Sequence, residues 1–208
     1  MVTGLPIRGE IINANREFAR AEMKLDSRPL ILSMGGSLGA RAINSAVKFL
    51  IESRYEKKDC YYLHATGKAG AGMIDEIKEK INLDANPQIM LREYINDMDR
   101  CLAAADIVIC RAGASSLSEI QALGKPSILV PYPYAAENHQ YYNAKTLADR
   151  DAAILIEEKD FTGERLLSEV EKLLADPKKL AEMGRNAKDM AILDASQRIT
   201  ECVCKIVK

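Results

Sequence analysis

Short apolar segments alternate along this chain with segments in which apolar residues recur at helical spacing. The apolar segments have the length and composition of buried strands, and they cover residues 30–34, 61–65, 89–91, 107–110, 128–130 and 153–156. Helical patterns follow several of them, notably at residues 42–51, 73–81, 116–123 and 140–147. This alternation predicts an α/β fold, a doubly wound, Rossmann-like parallel sheet of about six strands with helices on both faces.

The size, charge and composition of the chain exclude several classes of protein. Its 208 residues are 48% apolar, which is enough for one large domain or two small ones. The net charge is −1 and aromatic residues make up 5%, so we expect no nucleic-acid partner. No stretch is long and apolar enough to span a bilayer, and residues 1–4 do not match a signal peptide. The five cysteines contain no Cys-x-x-Cys pair and are interpreted as reduced thiols.

Both ends of the chain carry readable signals. Residues 3–8 are predicted to be a loop before a helix at about 10–23, and a start in a loop suggests a piece of a longer protein. Asp176 and Pro177 are typical of a helix N-terminus, and that helix is predicted to run to about Met190.

A last helix is predicted at about 194–207, with Asp194 as its cap. One face of it carries an apolar stripe, formed by Ile199, Cys202, Val203 and Ile206. This stripe can pack on its own domain or against another domain or chain, and the sequence leaves both open.

Three glycines follow the first predicted strand, in the segment GGSLG at residues 35–39. Glycine lets the backbone approach a ligand without interference from a Cβ atom. Ser37 is placed to cap the next helix, whose free N–H groups would form an anion site. The segment lacks both the G-x-G-x-x-G fingerprint and the P-loop ending. A tight turn and a phosphate site therefore remain equally open.

A second glycine-containing turn, Arg111–Ala114, follows the fourth predicted strand. Parallel sheets of this kind bind ligands at the carboxyl ends of their strands, so both turns are expected at one site. Glu119 lies just beyond and has two interpretations. It can complete a capping box with Ser116, or its carboxylate can accept hydrogen bonds from the two hydroxyls of a ligand diol.

A third candidate segment is PYPYAAENHQYYNA, residues 131–144. Its prolines are expected to end a strand and shape a loop. Glu137 or Asn138 can be an ordinary helix cap. Together with His139 and Gln140, however, these groups also suit sugar hydroxyls, whereas no Ser/His/Asp arrangement is apparent.

These segments together resemble a known family. GGSLGARAIN (35–44), CRAGASSLSEIQALGKPSILVPYP (110–133) and NHQYYNA (138–144) resemble, in order and spacing, the carboxyl-terminal domain of the bacterial undecaprenyldiphospho-muramoylpentapeptide N-acetylglucosaminyltransferases of glycosyltransferase family 28. TGLPIR (3–8) and REYINDM (92–98) support the resemblance.

The resemblance implies that residues 1–208 are one half of a GT-B fold, in which two Rossmann-like domains face each other across a cleft. This half would bind UDP-N-acetylglucosamine, and the last helix would pack toward a missing amino-terminal domain. That domain would bind lipid I, contact the membrane and carry the catalytic base. The family makes lipid II by inverting transfer for peptidoglycan synthesis, as a cytoplasmic enzyme peripheral to the cell membrane. No metal or other cofactor is expected.

The resemblance also implies a role for individual residues of the donor site, and it places no catalytic residue in this chain. Arg8 and Ser37, with the backbone at Gly36 and Leu38, would hold the diphosphate; Tyr94 and Ile95 would bind uracil; Glu119 would bind the ribose; and Ala114, His139 and Gln140 would meet the N-acetylglucosamine. Arg111 lies in a matching segment without an assigned role. Leu5 and His139 depart from the family's usual Asn and Gln, so the hydrogen bonding of those two loops does not transfer in detail.

Three alternatives stay open. The chain can be a natural stand-alone donor subunit that pairs with a separate membrane-bound partner. It can be part of another UDP-sugar enzyme of the same architecture, such as a lipid glucosyltransferase or an epimerase. It can also be a nucleotide-binding domain without chemistry of its own.

Overall fold

The six apolar segments form the strands of a single sheet in the computed structural model, which describes residues 2–207. The strands are β1 (Leu30–Met34), β2 (Tyr61–Ala65), β3 (Ile89–Arg92), β4 (Ile107–Cys110), β5 (Ser127–Leu129) and β6 (Ala153–Leu155). The helices of this part of the chain are α1 (Gly9–Ile12), α2 (Arg16–Glu22), α3 (Arg41–Arg54), α4 (Ala71–Lys80), α5 (Met98–Ala104), α6 (Ala114–Leu123), α7 (His139–Ala148), α8 (Gly163–Ala175), α9 (Pro177–Asp189) and α10 (Ala195–Ile206).

Every strand pair is parallel, and the strand order is β3-β2-β1-β4-β5-β6. The predicted doubly wound sheet is therefore confirmed. The chain builds outward from β1 on one side and then returns to build outward from β4 on the other. Met34 and Cys110, the last residues of β1 and β4, are register partners at this reversal. A reversal of this kind leaves a crevice at the carboxyl edge of the sheet, where open α/β sheets bind ligands.

Side chains of each strand alternate between two buried layers, because successive residues of a strand point to opposite faces. Leu30 and Leu32 pack in one layer, with residues of α5, α6 and α7. Ile31 packs in the other, with residues of α3, α4 and α8. Both faces of the sheet are thus covered, which explains why the strands are almost uniformly apolar.

The predicted helix at 10–23 is wrong in its continuity. It is divided into α1 and α2, because the Asn15 side chain accepts a hydrogen bond from the Phe18 amide (2.9 Å) and begins a new helix there. The capping box at Ser116 and Glu119 is also wrong. α6 begins at Ala114, so Glu119 lies in its second turn, beyond the positions that cap a helix.

Three further predicted caps are wrong. α3 begins at Arg41 rather than next to Ser37, and its N-cap, Ala40, makes no side-chain hydrogen bond. α7 begins at His139 with no cap from the Asn138 side chain. Asp194 precedes α10, but its side chain makes no capping hydrogen bond, and its carboxylate pairs with Arg198 (2.8 Å).

The start of α9 is confirmed, since the Asp176 side chain accepts a hydrogen bond from the Lys179 amide (2.9 Å) and Pro177 occupies the first helical position.

α10 buries only the start of its apolar face on this domain. Ala195 is buried, whereas the side chains of Val203 and Ile206 are 51% and 83% exposed. The carboxyl-terminal half of the predicted stripe therefore faces solvent. Within residues 2–207, no helix combines the length and the apolar character that crossing a membrane requires.

Candidate functional site

The turn between β1 and α3 is tight and also opens onto a cavity. Gly36 and Gly39 have φ angles of +86° and +82°, and the Gly39 amide donates to the Gly36 carbonyl oxygen (2.9 Å). A Cβ atom on Gly39 would lie 2.3 Å from the Thr66 carbonyl oxygen, whereas one on Gly36 would meet nothing within 4 Å. Gly39 therefore serves packing, and Gly36 faces open space. The tight-turn interpretation therefore applies at Gly39, and the open approach that a phosphate site requires is present at Gly36.

The loop after β2 holds this turn in place. Lys68 and Ala69 donate their backbone amides to the carbonyl oxygens of Ser37 (3.3 Å) and Leu38 (3.1 Å). The Asn44 side chain, on α3, donates to the Thr66 carbonyl oxygen (2.9 Å). With their carbonyl groups bound on this side, the backbone of Ser37 and Leu38 is fixed relative to the start of α3.

The first loop of the chain and helix α6 meet beside the turn. Arg8 Nη2 donates to Glu119 Oε1 at 3.1 Å. The Arg8 side chain is 59% exposed and that of Glu119 18%, so the arginine is the more exposed partner of the pair. The resemblance implied one site for Arg8 and Glu119, and the fold brings them into direct contact.

Two neighbouring cavities lie along the carboxyl edge of the sheet. The larger, of about 590 Å³, is lined by residues 34–42 and by Cys110, Arg111, Gly113, Ser116, Tyr132, Gln140 and Glu158. The smaller, of about 370 Å³, is lined by Arg8, Met34, Gly36, Ser37, Ala65, Tyr94, Ile95, Asn96, Met98, Ser116 and Glu119. Met34, Gly36, Ser37 and Ser116 line both, so the two cavities form one groove with the glycine turn at its centre. We call this the donor groove, after the role that we propose for it.

The donor groove contains eight of the ten predicted site residues: Arg8, Gly36, Ser37, Leu38, Tyr94, Ile95, Glu119 and Gln140. Tyr94 presents a ring that is 57% exposed, whereas Ile95 is buried beside it. The two remaining residues lie outside its lining. Ala114 is the first residue of α6, and His139 Nδ1 donates to the Ala136 carbonyl oxygen (2.8 Å).

Sequence reasoning did not assign Ser116 or Glu158 to the donor groove, and it left Arg111 without a role. Ser116 lies in the segment that predicts a helix cap. Glu158 follows β6, in a segment with no motif, and no local pattern links it to the glycine turns. The Arg111 guanidinium forms an ion pair with Glu158 in the lining of the larger cavity. Only the three-dimensional fold brings these two residues together.

Two buried titratable groups near the groove are held in their neutral forms. Burial raises the pKa of the Cys110 thiol, at the floor of the larger cavity, to about 12, so it is not a thiolate nucleophile at neutral pH. Burial lowers the pKa of His64 to about 4, and its Nδ1 lies 2.8 Å from Ser33 Oγ, one residue before the end of β1.

The sequence alone does not exclude a metal ion at the site, because carboxylate pairs occur in it. It contains two Asp-x-Asp segments, residues 97–99 and 149–151. Asp97 accepts from Arg92 (2.6 Å) and Asp149 from Lys145 (2.7 Å). No three potential ligands from His, Cys, Asp or Glu are grouped for a metal ion within the described part of the chain.

The chain is similar to known proteins over nearly its full length. Residues 30–199 match the family model of the glycosyltransferase family 28 C-terminal domain. The UDP-N-acetylglucosamine--N-acetylmuramyl-(pentapeptide) pyrophosphoryl-undecaprenol N-acetylglucosamine transferase of Desulforamulus reducens is 42% identical over 209 residues, which are 99% of this chain and 56% of that protein. The protein of the same name from Acetivibrio thermocellus is 42% identical over 207 residues, 99% of this chain and 55% of that protein.

A solved structure agrees with these relatives. MurG of Acinetobacter baumannii superimposes with a TM-score of 0.75 at 28% identity, over 94% of this chain and 55% of that one. The chain thus spans about half the length of the relatives that it matches. The family match and the level of identity show that the chain belongs to the glycosyltransferase family 28 C-terminal domain family.

Proposed function

We propose that this chain binds UDP-N-acetylglucosamine in the donor groove and is the donor half of a glycosyltransferase that converts lipid I to lipid II. The observation that carries the proposal is the groove itself, in which an open glycine turn lies between the Arg8–Glu119 pair on one side and Gln140 on the other. This order fits a ligand whose diphosphate lies between a nucleoside and a sugar. The names of the relatives support the same donor and acceptor.

The diphosphate would lie on the turn at Gly36, Ser37 and Leu38. Gly36 has no side chain to block the approach, and the Ser37 hydroxyl and the backbone amides can donate to phosphate oxygens. The N-terminus of α3 adds positive potential, because its first-turn amides have no side-chain cap. Arg8 is exposed enough to leave Glu119 and contact the phosphates.

The nucleoside would occupy the smaller cavity. Tyr94 offers an exposed ring for stacking against uracil, and the backbone at Ile95 can read the edge of the base. Glu119 lies deeper and can accept from both ribose hydroxyls, which requires that it exchange Arg8 for the diol. The nucleotide would thus replace the Arg8–Glu119 contact with two new ones.

The sugar would occupy the larger cavity, where Gln140 lines the wall. Ala114 and His139 lie just outside the lining, and we assign them contacts only at the rim of the site. In an inverting displacement, an acceptor hydroxyl attacks the anomeric carbon while UDP departs. The contribution of this chain is to stabilise negative charge on the departing diphosphate through Arg8, Ser37 and the amides of the turn.

The acceptor site and the base would lie in another domain, together with the membrane contact of a peripheral cytoplasmic enzyme. The exposed half of α10 supports a contact with such a domain, since Val203 and Ile206 are left uncovered by this one. We propose that α10 packs toward it. The protein encoded by the complete reading frame should therefore transfer N-acetylglucosamine to a lipid I analogue, whereas this chain alone should not. Transfer by this chain alone would contradict that division of labour.

The donor proposal is tested by calorimetry with UDP-N-acetylglucosamine, UDP-glucose and UDP. Ser37→Asp places a negative charge at the proposed diphosphate site, and we expect it to weaken binding by about tenfold or more. Ser45→Asp makes the same change of charge on the exposed face of α3 and should leave binding within about twofold. The proposal is wrong if no uridine nucleotide binds or if the two variants behave alike. Stronger binding of UDP-glucose than of UDP-N-acetylglucosamine would overturn the choice of sugar.

A further inference from the structure

Arg111 contacts the backbone after β5, the Glu158 carboxylate and the Tyr132 ring, although the proposed function assigns it no role. Its side chain is only 15% exposed. Nη1 donates to the carbonyl oxygens of Val130 (3.2 Å) and Pro131 (3.1 Å), and Nη2 donates to the carboxylate of Glu158. The guanidinium carbon also lies 5.4 Å from the centre of the Tyr132 ring. These contacts fix the backbone where the chain leaves β5.

The backbone that Arg111 fixes determines how Gln140 is oriented. The Tyr132 amide donates to Gln140 Oε1 at 3.0 Å. A backbone N–H can only donate, so the oxygen of the Gln140 amide must face Tyr132. Its NH₂ group is then left as the hydrogen-bonding group of Gln140 for anything in the cavity.

Glu158 completes the arrangement as the anionic partner of Arg111. It reaches Arg111 from the segment after β6, and both side chains are largely withdrawn from solvent. A mostly buried guanidinium without an anionic partner is costly, and it would turn toward another acceptor, such as a diphosphate on the glycine turn. The carboxylate therefore keeps Arg111 on the Val130 and Pro131 carbonyl oxygens.

We propose that Arg111 and Glu158 are positioning residues that fix Gln140 as a hydrogen-bond donor to the sugar of a bound nucleotide sugar. This inference rests on the proposed function, because it concerns the sugar end of the same groove. The sugar then meets an NH₂ group at this wall, so an oxygen that accepts a hydrogen bond is preferred there over a group that can only donate. The pair acts on the sugar and leaves the uridine and diphosphate contacts unchanged.

The quantity that tests the proposal is the ratio of the affinities for UDP-N-acetylglucosamine and UDP, measured by calorimetry on the same preparation. Glu158→Ala should lower this ratio by about fivefold, the equivalent of one neutral hydrogen bond, with UDP affinity not reduced. Glu157→Ala is the matched control. The Glu157 carboxylate pairs with Lys159 (3.3 Å) and does not line the groove. The affinity ratio in Glu157→Ala should therefore stay within about twofold of that of the parent chain.

A double-variant cycle tests whether Glu158 acts through Gln140. If it does, Glu158→Ala combined with Gln140→Ala should lower the ratio no further than Gln140→Ala alone. Additive losses, or an unchanged ratio in Glu158→Ala, would overturn the inference. If Glu158→Ala does not fold, Glu158→Gln takes its place, and a fall of at least about twofold in the ratio decides the same question. Failure of UDP itself to bind the parent chain would instead contradict the proposed function.

Discussion

Arg8 and Glu119 are 111 positions apart in the chain, and their side chains meet at 3.1 Å beside the glycine turn. One belongs to the first loop and the other to α6, so this contact brings two distant parts of the chain together in the lining of the smaller cavity. Each group has the right charge for a different part of a nucleotide, since the guanidinium suits a phosphate and the carboxylate suits a diol. The pair therefore holds both groups at the site while no ligand is bound.

The Arg8–Glu119 contact predicts that substitutions of its two residues affect the binding of UDP and uridine differently. Arg8→Ala should weaken UDP binding by about tenfold, which is the low end for a charge-assisted hydrogen bond, because the side chain is largely exposed. It should leave uridine binding unchanged. Glu119→Gln should weaken the binding of UDP and of uridine alike, because the ribose is common to both. Calorimetry with the two ligands makes the comparison.

Arg185→Ala provides the control for Arg8, since it makes the same change of charge on an exposed position of α9 that does not line the groove. The loss in Arg8→Ala should also shrink at high salt. An equal loss of UDP and uridine affinity in Arg8→Ala would contradict a phosphate contact.

The two glycines of the turn should differ in what an added methyl group does. In Gly39→Ala the new Cβ atom meets the Thr66 carbonyl oxygen at 2.3 Å, with φ at +82°. We expect a loss of roughly 2 kcal/mol or more in the free energy of unfolding. Gly36→Ala has the same backbone strain without the clash and should cost only about 1 kcal/mol. Urea denaturation measures both, and equal costs would show that the contact with Thr66 is not rigid.

The sequence predicted the sheet better than the site, for a physical reason. The strand that contains Ile31 and Leu32 is predictable from composition alone, because a strand buried on both faces is apolar throughout. The role of Ser37 could not be read in this way. Its turn is held by Lys68 and Ala69 from another loop, and α3 begins only at Arg41.

Residues of the site are predictable only to the extent that they belong to a local motif. Glu119 and Gln140 lie within recognisable segments, and the structure brings both to the donor groove. Glu158 faces Arg111 because β6 lies at the edge of the sheet beyond β5, which is a property of strand order rather than of sequence spacing. The family resemblance could therefore identify residues within motifs, such as Glu119 and Gln140. It could not identify Glu158, which lies in no motif.

The buried His64 predicts a loss of stability in mild acid. Burial lowers its pKa in the folded chain from 6.5 to about 4, so the unfolded chain binds more protons between these values. The titration of His64 therefore does not lower the free energy of unfolding above pH 6.5. As the pH drops toward 4, it lowers the free energy of unfolding by about 3 kcal/mol in all. Urea denaturation at several pH values should show the parent chain losing this much more than His64→Asn.

The second histidine of the chain is the matched control for this measurement. His139 is exposed at the start of α7, so His139→Asn makes the same substitution without removing a buried side chain. If His64→Asn and the parent chain lose stability in parallel between pH 6.5 and 4, then His64 is not held neutral by burial.

The exposed half of α10 makes a last prediction about which part of the chain stabilises this domain. Ile206 is 83% exposed, so Ile206→Ser should change the free energy of unfolding of this chain by less than about 0.5 kcal/mol. The same substitution at Ile77, which is fully buried on α4, should cost about 3 kcal/mol or more, since it leaves both a cavity and a buried hydroxyl. A cost above about 1 kcal/mol for Ile206→Ser would mean that the stripe packs on its own domain. If α10 packs toward an acceptor domain, as we propose, Ile206→Ser in a protein that contains both domains should lower the transfer rate while leaving the affinity of this chain for UDP unchanged.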